Sequence, residues 1–145
     1  GGVIMTGEFS VAVHALVYLN HMNTTLSSTQ LADNICTNPA RVRKIMAELV
    51  KSGLAVSGEG RGSGYAICEN GPSVTLLEVL DALGDRAVST AWRTGDMDRE
   101  CLVSSGMGDI MDSLCEELND MCRQRLSHIS IGDINDRIFG KNKEK

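Results

Sequence analysis

Aromatic side chains are scarce: Phe9, Tyr18, Tyr65, Trp92 and Phe139 are all that the 145 residues contain. So few rings argue against a stacking platform for single-stranded nucleic acid. Long apolar runs are missing too. None approaches the roughly 20 residues needed to cross a bilayer, and no charged leader precedes a signal-like core, so a cytoplasmic protein is expected. Paired cysteine spacing is also absent. Cys36, Cys68, Cys101, Cys115 and Cys122 are odd in number and are expected to rest as thiols in a reducing compartment. No nucleophile, base and oxyanion donors assemble, which argues against an enzyme. His14 and His21 share a face of one helix but have no Cys or carboxylate at ligand spacing, and His128 is isolated, so no metal site is expected. Asp109, Asp112, Glu116, Glu117 and Asp120 read as the solvated face of a helix.

Net positive charge is lacking as well, the formal charge being −5. The sum hides a segregation. Residues 1–65 carry Arg41, Arg43, Lys44, Lys51 and Arg61 against Glu8, Asp33, Glu48 and Glu59, leaving this half at +1 and the remainder at −6. A local basic face can therefore exist on an acidic protein.

The stretch "SGEGRGSGY", Ser57 to Tyr65, has the glycine density of a phosphate-cradling loop. Such a loop works by running directly into a helix, whose free N–H groups and dipole favour the anion. Here "AICENGP" follows, which is no helix start, and "GLAVS" and "YAICE" alternate on either side. Two short strands joined by a glycine-rich turn are predicted instead, with Arg61 at the tip.

The run "FSVAVHALVYLNHM" is apolar nearly all round and suits a buried helix. In "SSTQLADNI", Ser27 and Gln30 form a candidate capping box. In "CTNPARVRKIMAELVKSG", Asn38 can cap, Pro39 suits the first helical position and Gly53 a left-handed terminator. Val42, Ile45, Met46, Leu49 and Val50 form the apolar stripe of this third helix, with Arg41, Arg43, Lys44 and Lys51 off it. Thr75 and Glu78 cap a fourth helix that Gly84 ends. After an irregular stretch from Asp85 to Gly106, Met107, Met111, Leu114, Leu118 and Met121 follow a heptad seam, broadened by Ile110, Cys115, Cys122 and Leu126. A long helix needing a partner is predicted from Met107 onward, most simply a second copy of itself.

The fold class is thus mainly α with a small β-hairpin wing: a winged helix-turn-helix over 8–84, an exposed regulatory loop over 85–106, and a dimerisation helix with C-terminal segment over 107–138. The elements "VAVHALVYL", "LADNICTNPARVRKIMAELVKSGLAVS", "GSGY", "VTLLEVLDALGD" and "RLSHISIGDI" resemble, in order and over residues 9 to 134, the bacterial winged-helix regulators of the Rrf-two family, with its IscR-, NsrR- and CymR-like members. The resemblance implies homodimeric repressors that bind double-stranded DNA at palindromic operators through the third helix and wing, with the long helix crossing its partner's. Some members hold an iron–sulfur cluster on three loop cysteines. Here the loop offers Cys101 alone, so the chain resembles the cluster-lacking branch, parts of which sense oxidants through thiols, and no cofactor is expected. Members often carry a basic residue before the wing glycines, where this chain has Glu59.

Arg41, Arg43 and Lys44 are therefore candidate DNA contacts, since arginine pairs with guanine and lysine neutralises phosphate. Thr37 and Asn38 either touch DNA or simply cap. Arg61 is a candidate for the minor groove. Cys36 reads as a small buried thiol packed between helices, or as a redox site whose oxidation would disturb the recognition helix. Cys101 is the candidate exposed thiol. Two other function classes stay open: a sensor with a cofactor near the loop from Trp92 to Cys101, and a protein–protein adaptor without DNA binding.

Overall fold

The computed structural model describes residues 7–58, 63–88 and 93–140. Helix α1 (Gly7–Met22) runs through the centre, burying Phe9, Val11, Ala12, Ala15, Leu16, Val17 and Leu19, as its apolar circumference requires. Helix α2 (Ser28–Ile35) starts at the capping box: Ser27 Oγ accepts from Gln30 N at 3.1 Å and Gln30 Oε1 from Ser27 N at 2.8 Å. It ends on Cys36 in the left-handed region (φ 65°). Helix α3 (Pro39–Lys51) is capped by Asn38, whose Oδ1 accepts from Arg41 N at 2.8 Å, and Gly53 follows it at φ 79°. Val42, Ile45, Met46 and Leu49 are buried along it, each worth roughly 1.5–3 kcal/mol.

Strands β1 (Ala55–Ser57) and β2 (Tyr65–Ile67) pair antiparallel in the register Ala55↔Ile67, Val56↔Ala66 and Ser57↔Tyr65. Leu26 adds a bridge to Tyr65 on the far side, through N–H···O bonds of 2.8 and 2.9 Å. Gly64 permits this close approach: a Cβ there would lie 2.3 Å from the Leu26 carbonyl oxygen. The hairpin tip, with Glu59 and Arg61, falls outside the described residues.

A 3₁₀ turn (Gly71–Ser73) leads to α4 (Leu76–Leu83), capped by the Thr75–Glu78 box and ended by Gly84 at φ 67°. Helix α5 (Leu102–Leu126) starts five residues before the heptad seam and ends sooner than the apolar periodicity suggests. Its start is set by the preceding segment, which folds back: Asp96 N donates to Ser104 O at 3.0 Å, and Arg93 pairs with Asp109 at 2.8 Å and with Asp112. Gly108 leaves room for that guanidinium, since a Cβ would lie 2.5 Å from Arg93 Nη2. The expected exposed loop is thus partly braced. At the other end, Ile129 O accepts from Leu76 N and Ile131 N donates to Val74 O, both at 2.8 Å, and Ser130 with Asp133 caps a new helix, α6 (Ile131–Phe139). Helix α6 packs against α1 and the 3₁₀ turn.

One core joins these elements, with Leu16, Leu19, Leu31, Val42, Met46, Leu49, Val79 and Ile131 fully buried. Leu126 belongs to it and Cys122 packs against it, so the last turns of α5 face the chain's own body. No helix among the described residues is long and apolar enough to cross a membrane.

Candidate nucleic-acid interface

Helix α3 crosses α2 after a three-residue turn, Cys36 to Asn38. With about 100° between successive residues, burial of Val42, Ile45, Met46 and Leu49 turns Arg43, Lys44, Ala47 and Lys51 outward. All four are exposed. Arg43 Nη1 lies 3.3 Å from Ser28 Oγ, a contact to the first turn of α2 that leaves its guanidinium at the surface. The outward side of α3 is therefore net basic, Arg43, Lys44 and Lys51 standing there against the exposed Glu48, and the β1–β2 hairpin follows directly at its C-terminal end.

Arg41 is placed differently. It lies on the flank of α3 towards α1, where its Nη2 and Nε reach Glu8 Oε1 at 2.7 and 2.9 Å. Gly7 clears the space, since a Cβ there would lie 2.7 Å from Arg41 Nη2. Asn38 spends its carbonyl oxygen on the helix cap, and Thr37 is half-buried with its N–H donating to Ala32 O at 3.0 Å. Arg61 and Trp92 lie outside the described residues.

The thiols separate into two kinds. Cys36 is exposed, which corrects the expectation of a buried, packed thiol: the residue ending α2 must adopt a left-handed conformation, and that aims its side chain at solvent. Cys101 is exposed at the N-cap of α5, and the N–H groups of Ser104 and then Val103 hold its thiol below the usual value. Burial pushes the Cys68 thiol up. Cys115 and Cys122 are half-buried.

Along α5, Met111, Leu114, Leu118 and Met121 are exposed and Met107 is half-buried, so the heptad seam is largely uncovered in the single chain. Buried Asn119 interrupts the helix's other side, bonding both the N–H and the carbonyl of Val88, the first at 2.8 Å. Arg123 pairs with Asp81 of α4 at 2.7 Å. Neither this clamp nor the Glu8–Arg41 pair carries a sequence signal, since the partners lie 31 and 33 residues apart.

A family model described as Rrf2, iron-dependent transcriptional regulator, matches residues 5–137. YwnA of Bacillus subtilis (strain 168), assigned as an HTH-type transcriptional regulator, is 24% identical over 136 residues, covering 94% of this chain and all of that protein. A crystal structure from Lactobacillus plantarum, assigned as a transcriptional regulator, superposes with a TM-score of 0.78 at 22% identity, covering 96% of this chain and 94% of that one. CymR (YrzC), the global cysteine regulator of B. subtilis, superposes with a TM-score of 0.65 at 14% identity over 92% and 96%.

The family's description implies iron, but the described residues do not fit such a site. No three His, Cys, Asp or Glu among them are grouped to hold a metal, and Cys101, Cys115 and Cys122 stand roughly 21 and 10 Å apart along α5 at 1.5 Å per residue. Fold, hairpin and whole-chain match agree: the chain belongs to the Rrf2 family of winged-helix, DNA-binding transcriptional regulators, which are not enzymes.

Proposed function

We propose that this regulator is a homodimeric repressor that binds a palindromic operator, each protomer laying α3 in a major groove. The observation that carries the reading is the two-sided helix α3, with a fully buried stripe on one side and Arg43, Lys44 and Lys51 exposed on the other. Arg43 reads a base edge, Lys44 neutralises phosphate, and the N-terminal turn at Thr37 and Asn38 approaches the backbone. The hairpin, carrying Arg61, reaches the adjacent minor groove, and the two half-sites lie about one helical turn apart. The uncovered seam of α5 supports the dimer, since a heptad face left in water is an association surface.

Regulation by a peroxide-class oxidant is the accompanying proposal. The Cys101 thiolate attacks one peroxide oxygen, giving a sulfenic acid and releasing water; a second thiol, Cys36 of the other copy, displaces a second water and forms a disulfide. The exposure of both thiols and the depressed pKa of Cys101 support it.

Selection from a random duplex library, with reduced protein and again after peroxide, tests both parts. A two-fold symmetric motif lost on oxidation is expected. Absence of any selected motif under either condition would remove the DNA reading in favour of an adaptor, and a motif that persists with Cys101 oxidised would remove the switch.

A further inference from the structure

Glu8 and Arg41 meet where the first turn of α1 lies beside the first turn of α3. One carboxylate oxygen, Glu8 Oε1, accepts from both Nη2 and Nε of Arg41, at 2.7 and 2.9 Å. The pair is open to solvent, and the apolar stripe of α3 is buried without it. Gly7, the neighbour of Glu8, keeps clear the space that the guanidinium occupies.

The place of Arg41 on α3 gives this pair a consequence for DNA. Arg41 stands three residues before Lys44, about 60° round the helix at 100° per residue and one turn nearer its N-terminus. Lys51 follows Lys44 by seven residues, so the three cations form one row along α3, with Glu48 between the lysines. A helix about 10–12 Å across nearly fills a major groove about 12 Å wide, so side chains on its flanks meet the phosphate walls while the outward tip meets base edges. The N-terminal turn is the end that leads into the groove. A cation at position 41 thus stands beside a phosphate wall, yet in this chain a carboxylate already holds it.

We propose that Glu8 masks Arg41 from DNA phosphate, lowering the regulator's hold on any duplex without touching the residues that read bases. The proposal rests on the reading of α3 as the helix that enters DNA. Carboxylate and phosphate oxygens are the same kind of anionic acceptor to a guanidinium, so the two compete for the same donors. With the pair closed, Glu8 and Arg41 sum to zero charge and displace no counterion from the duplex; with Glu8 neutralised, Arg41 takes a phosphate and one more counterion leaves. The effect is independent of sequence, because phosphate contacts position a protein and do not read bases. Residues 1–65 carry a net charge of only +1, so one masked arginine is a large share of their attraction for DNA.

The test is fluorescence anisotropy of the full chain on a labelled, mixed-sequence duplex across a salt series. Glu8→Gln, which keeps the shape and removes the charge, should raise affinity about three- to fivefold at about 0.1 M salt, the strength of the exposed pair setting the ceiling. It should also steepen the slope of log affinity against log salt by about 0.9. In an Arg41→Ala background the same Glu8→Gln change should move affinity less than about twofold and leave the slope where it is. Circular dichroism and the thermal midpoint check that each variant is folded. An equal gain in both backgrounds would overturn the masking, since it would reveal bare repulsion between Glu8 and phosphate. So would an unchanged Glu8→Gln while Lys44→Ala weakens binding and lowers the slope. If neither the wild type nor Glu8→Gln bound duplex at any salt, the reading of α3 would fall, and the masking with it.

Discussion

Arg43→Ala and Arg41→Ala should separate the two arginines nearest the start of α3. The Arg43 guanidinium stands on the outward face, and a bidentate contact to guanine is worth about 1–3 kcal/mol, or roughly 5- to 150-fold in affinity. That loss should fall on the operator and spare a scrambled duplex. Arg41 is committed to Glu8 at 2.7 Å, with side chains 38 and 42% exposed, so its pair is worth at most about 1 kcal/mol after solvent screening. Arg41→Ala should therefore lower stability slightly and leave the operator-to-scrambled ratio within about twofold. Lys44→Ala should weaken both duplexes alike and reduce the salt slope by about 0.9. Fluorescence anisotropy on both duplexes, across a salt series, measures all three quantities. A collapse of specificity in Arg41→Ala with Arg43→Ala unaffected would refute the orientation assigned to α3.

Three further outcomes follow from the packing. Asn119→Ala removes both hydrogen bonds to Val88 and strands two backbone groups, at roughly 1–3 kcal/mol each; thermal denaturation should show a fall of several degrees, and an unchanged midpoint would show that the clamp is dispensable. Gly64→Ala sets a Cβ against the Leu26 backbone and should cost about 1–3 kcal/mol, with amide exchange at Leu26 and Tyr65 accelerating; unaltered exchange would contradict the close approach. Because the Cys101 thiol is held below its ordinary value and that of Cys68 above it, raising the pH should switch on alkylation first at Cys101 and last at Cys68; the reverse order, read by peptide mass spectrometry, would contradict the N-cap placement.

What could be read from the sequence is what acts within one turn of chain. The Ser27–Gln30 and Thr75–Glu78 boxes, the Asn38 cap, Gly53 and Gly84 formed as their residue types dictate, because each satisfies helix-end groups at most three residues away. The alternation around the glycine-rich turn likewise produced the hairpin, and the periodicity of α3 sorted its buried stripe from its basic face. Local signals failed where two were in conflict. Ser130 and Asp133 start α6, yet apolar periodicity runs straight through the break, and hydrogen bonds to Val74 and Leu76 decide it.

Tertiary structure alone turned Arg41 onto Glu8, drew Arg93 back to Asp109, clamped Val88 to Asn119 and brought α6 beside α1. Each of these joins residues 16 or more apart, so their meeting depends on how whole helices pack rather than on any spacing along the chain. The caps, the hairpin and the polarity of α3 were therefore determined by the sequence itself; which arginine faces outward, and which surfaces are left for a second chain, were decided only when the core closed.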